Sequence, residues 1–189
     1  MGLRELFPSL YGEATELDDR GDSEIAAEYY ALRAFAGFID ADYEPKHSSF
    51  IGYAHALEAI SADVRAGNHR RAIRLFEFVR PMWDELVAVT DDPVRDAILH
   101  EWHGDGLLML DEPEATTYYE YASEVYHEHL SYPTQSNWSF EEEFDYAHWA
   151  LYDYVEASGY SLPLDRGDLA HDFHTRIDFK LGLTADRFD

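Results

Sequence analysis

The chain has 189 residues, of which 46% are hydrophobic and 15% aromatic, enough to bury the core of one domain despite the charge it carries. Thirty-nine Asp and Glu oppose fourteen Lys and Arg, a formal charge of −25, and there is no cysteine, which excludes disulfides, thiolate catalysis and cysteine–zinc sites and disfavours nucleic acid as a partner of the whole surface. The N-terminal MGLRELFP lacks the apolar run of a signal peptide and nowhere do 18 apolar residues follow one another, so a cytoplasmic chain without a membrane partner is expected.

In chain order, the first helix is expected over 3–17, with Pro8 breaking or kinking it. Asp22-Ser23 opens a second over 23–41, where Ile25, Tyr29, Leu32, Ala36 and Ile39 recur at the 3.6-residue spacing of an amphipathic helix, whose apolar face ordinarily turns to the core. A third spans 48–66 and stops at Gly67; a fourth spans 69–89, with Pro81 as a second break or kink. Asp92-Pro93 and Glu112-Pro113 each place an acid before proline and start helices over 93–110 and 113–130. After the irregular stretch Ser131–Trp138, Ser139 and Glu142 form a capping box ahead of Phe144, His148, Leu151 and Val155. That helix, 140–158, stops at Gly159, and a last one covers 167–181. Strand signals are weak, so the fold class is all-α: about eight helices in a single domain over 1–189.

The helices repeat. Gly21-Asp22, followed by Ala26 and Tyr30, recurs as Gly67-Asn68 with Ala72 and Phe76, and again as Asp111-Glu112 with Ala115, Tyr119 and Ala122. Tyr53-Ala54-His55, Ile98-Leu99-His100 and Tyr146-Ala147-His148 echo one another in the preceding helices at spacings of 45 and 48, close to the 46 from Gly21 to Gly67. Gly67, Ala72 and Phe76 (with Val79 next), and Ala115, Tyr119 and Ala122 preceded by Trp102 and Gly104, resemble the helical hairpins of the tetratricopeptide family. The repeat here is longer than that family's. The resemblance implies stacked antiparallel hairpins that bind a partner in a groove, without chemistry; the alternative is an irregular bundle of the same helices.

The acid excess, with Lys46 and Lys180 as the only lysines, resembles the composition of haloarchaeal proteins that work in a salt-rich cytoplasm. In dilute buffer such self-repulsion opposes compaction, whereas molar salt shortens the Debye length to about 3 Å and removes most of it. The acidity therefore concerns solvent, not substrate.

Candidate chemistry is sparse. Ten histidines include His100-x-x-His103 and His171-x-x-His174, and Glu124-x-x-His127 and Asp145-x-x-His148 have the carboxylate–histidine spacing of di-iron bundles. A zinc site needs three or four converging ligands and no HExxH occurs, so no metal, cofactor or catalytic residue is assigned. Residues 65–80 hold Arg65, Arg70, Arg71, Arg74 and Arg80 against the single acid Glu77. Arg70 and Arg74 share a helix face, suited to an acidic partner or a phosphate unless internal carboxylates claim them. His55, His100 and His148, at matching places in successive helices, form a possible column lining the same kind of groove. The leading expectation is a non-enzymatic protein-interaction module that binds a protein partner through Arg70, Arg74 and these three histidines. A metal-dependent helical enzyme and a regulator binding phosphate or nucleic acid through the arginines are the alternatives; the oligomeric state is open.

Overall fold

The computed structural model describes residues 3–40, 47–130 and 142–188. Among them there is no strand, and nine helices follow one another: α1 (Leu3–Asp19), α2 (Ser23–Asp40), α3 (His47–Arg65), α4 (His69–Ala88), α5 (Pro93–Met109), α6 (Ala115–His129), α7 (Glu142–Ala157), α8 (Arg166–His171) and α9 (Phe173–Phe188). They divide into two compact units, residues 1–89 with α1–α4 and residues 90–189 with α5–α9. No described helix is long and apolar enough to cross a membrane. The stretch Ser131–Trp138 and the capping serine Ser139 lie outside the described residues.

Most helix boundaries follow local chemistry. Asp92 caps α5 by accepting from the Arg95 N–H at 2.9 Å, with Pro93 in the first turn, where its missing N–H costs nothing. Gly21, Gly67 and Gly159 take left-handed φ of 85°, 81° and 88°, and each turn closes with the paired carbonyl contacts of a Schellman motif. In the third turn Asp111 takes the glycine's place at φ 67°, with the same pair of bonds, Asp111 N–H to Leu108 and Glu112 N–H to Leu107. The same backbone turn thus follows α1, α3, α5 and α7, with aspartate in place of glycine after α5.

Helices α1 and α4 run through Pro8 and Pro81 without a break; Pro81 is exposed, so water can serve the carbonyl it leaves unpaired. Two boundaries differ from expectation. The last helix is two, because the Asp172 carboxylate accepts from the Thr175 N–H and hydroxyl, both at 3.0 Å, and starts α9 afresh. Helix α6 begins at Ala115, after a tight turn over Glu112–Glu114.

The first unit packs on small residues. The buried face of α2 is Ala26, Ala27, Tyr30, Ala34, Ala36, Gly37 and Phe38. A Cβ on Gly52 of α3 would lie 2.8 Å from the Phe38 ring and 3.0 Å from the Ala34 carbonyl oxygen, so only glycine allows this approach of α2 and α3. Ile25, Leu32 and Ile39, which periodicity assigns to a core-facing stripe, are instead exposed, and the alanine-rich face is buried. Close helix approach favours small side chains over large apolar ones here. In the second unit, α5 and α6 meet as closely at Gly104, where a Cβ would sit 2.7 Å from the Tyr119 ring.

Candidate functional site

Polar chemistry gathers in two prominent places, one sealed and one open. The sealed one lies in the second unit. Helix α5 carries Glu101 and Asp105 one turn apart, and α9 carries Arg176 and Lys180 at the same interval, all four fully buried. The Arg176 guanidinium donates to both Glu101 oxygens at 2.6 and 2.8 Å, and also to the Ala170 carbonyl. Lys180 lies 2.7 Å from Glu101 and 2.7 Å from Asp105. Tyr126 donates to Glu101 at 2.6 Å and Tyr119 to Asp105 at 2.9 Å, and His148 of α7 reaches the Lys180 ammonium through Nδ1 at 3.4 Å.

Two carboxylates and two cations balance. Burial pushes the Glu101 carboxyl up, but Arg176 and Lys180 outweigh it and hold the group well below its usual range. Asp105, with Lys180 as its one cationic hydrogen-bond donor and Glu101 close by, is pushed up to about 6, chiefly by burial. His148 is held well below the usual imidazole value by burial and by Arg176 and Lys180. Carboxylates and imidazole converge on an ammonium, and the ion-pairing side chains have no solvent exposure. Such a cluster orients a core; it offers a ligand no entrance.

The open place is in the first unit. Helices α2 and α4 run side by side in the same direction, since Arg71 meets Glu28 at 3.4 Å and, seven residues further along each helix, Phe78 meets the Phe35 ring edge-on at 5.3 Å. Between them lies a groove of about 490 Å³ whose apolar wall includes Ala31, Leu32, Phe35, Leu75 and Phe78. Leu32 and Phe78 on its rim are 54% and 55% exposed. Arg71 and Arg74 line it toward the N-terminal ends of both helices.

The arginine island divides in two. Arg65 forks onto Asp18 at 2.9 and 2.6 Å. Arg71 binds Asp63 at 2.6 Å and the Glu24 carbonyl at 3.1 Å. Burial pushes the Asp63 carboxyl up, and Arg71 opposes it. Arg70, Arg74 and Arg80 are exposed, and among the described residues they make no side-chain hydrogen bond or ion pair.

Of the three histidines expected to line a groove, His55 and His148 are fully buried. His55 is fully buried under the Tyr11 ring, accepting at Nε2 from Arg33 and facing Glu58 through Nδ1. Arg33 thereby assigns the proton to Nδ1, and burial with the Arg33 charge keeps the ring neutral. His148 is fully buried in the ion-pair cluster, and His100 is half-buried against Tyr118 and Tyr121 with Nδ1 on the Asp96 carbonyl at 2.9 Å. Full burial removes His55 and His148 from any partner-facing role.

Elsewhere His127 and His174 stack at 4.7 Å, and among the described residues no group of three or more His, Asp and Glu is arranged to hold a metal ion. No protein-family model, curated protein or solved structure matches the chain. The local geometry alone carries the functional reading.

Proposed function

We propose that residues 1–89 form a non-enzymatic protein-interaction module, built of hairpins of the tetratricopeptide kind and adapted to a salt-rich cytoplasm. It takes a helical segment of a protein partner in the groove between α2 and α4. The observation that carries this reading is the groove itself: an exposed apolar trough lined by Arg71 and Arg74, the second of which has no internal partner among the described residues. Apolar side chains fit the trough, and guanidinium groups at its rim hold carboxylates or helix-terminal carbonyls in forked geometry. A phosphate or a nucleic acid would use the arginines but leave the Leu32, Phe35 and Phe78 wall empty, so the apolar lining favours a protein.

The test is a photo-cross-linking residue placed at Leu32 and, as a control, at exposed Asp84. In molar KCl the Leu32 probe should yield a cross-linked protein that the Asp84 probe does not. Arg70→Glu with Arg74→Glu should weaken it while helicity stays unchanged. Equal labelling from both positions would refute the module.

A further inference from the structure

We draw no further inference here: the strongest candidate, the apolar groove between α2 and α4 with Arg74 in its lining, belongs to the site already described, and nothing in the structure shows what covers it.

Discussion

Replacing Arg176 by methionine tests the ion-pair cluster most directly. The side chain is fully buried; it gives Glu101 two charge-assisted hydrogen bonds, gives Ala170 another, and lays its guanidinium 4.4 Å over the Phe173 ring. Without it Glu101 keeps Lys180 and Tyr126, but two carboxylates then share one ammonium with no water to help. Removing one partner of a buried pair costs about 3–5 kcal/mol. In a unit of about 100 residues each kcal/mol moves the melting point by about 4–8 °C, so a loss of roughly 12–40 °C is expected. Adding Glu101→Leu removes the stranded carboxylate and leaves Lys180 with Asp105. Tyr126 and the Ala170 carbonyl then lose partners, at about 1–3 kcal/mol each, yet no surplus buried charge remains. The double variant should therefore be more stable than Arg176→Met alone. Urea unfolding in molar KCl, followed by far-ultraviolet circular dichroism, gives all the free energies of the cycle. Additive losses, or an Arg176→Met loss below about 1 kcal/mol, would show that the cluster is not energetically coupled as its geometry requires.

The remaining expectations concern solvent, backbone and protons. Below about 0.5 M KCl the uncompensated acids should broaden the thermal transition, and an unchanged melt down to about 10 mM would refute salt adaptation. Gly67→Ala should destabilise by about 1–2 kcal/mol through its left-handed φ alone, since nothing lies within 4 Å of a Cβ there. Gly12→Ala, equally uncrowded inside α1, should stabilise by about 0.5–1 kcal/mol, and two effects of the same sign in urea melts would contradict the backbone assignment. For protons, folded His55 and His148 resist charging, so below the ordinary imidazole value of 6.5 the unfolded chain binds more protons and stability falls. Asp105, pushed up to about 6, acts oppositely, favouring the fold on the acid side and losing that contribution as pH rises toward 6. Two imidazoles outnumber one carboxyl, so the melting point should drop between pH 6.5 and 5; a rise would refute the neutral burial of the rings.

The helices were legible because their punctuation is local: Asp92-Pro93, Gly67 and Gly159 act on backbone groups within a turn of themselves. The facing of α2 was not. Periodicity registers Ile25, Leu32 and Ile39 as an apolar line but carries no sign of which side the core takes, and the deciding contact, Gly52 against Ala34 and Phe38, lies in another helix. The groove is hidden from sequence for the same reason. Arg70 and Arg74 were marked by the local density of arginine, yet only the three-dimensional positions of Asp18, Asp63 and Glu28 separate them from Arg65 and Arg71, which are satisfied internally. The ion-pair cluster did leave a trace. Arg176 and Lys180 fall on the same helical line as Phe173, Ile177, Leu183 and Thr184, all buried, and cations on a buried line require buried acids opposite. Which acids among 39 is a matter of packing, not of sequence.

The burial of Lys180 also makes the second unit its own sensor of opening. Lysine occurs twice in the chain, at Lys46 and Lys180, so residues 90–189 contain a single side-chain amine, fully buried in the fold and held between two carboxylates. An amine-directed acylating reagent can reach it only when α9 parts from α5. The rate at which mass is gained on the peptide containing Lys180 therefore follows how often the unit breathes, read at one atom without any introduced label.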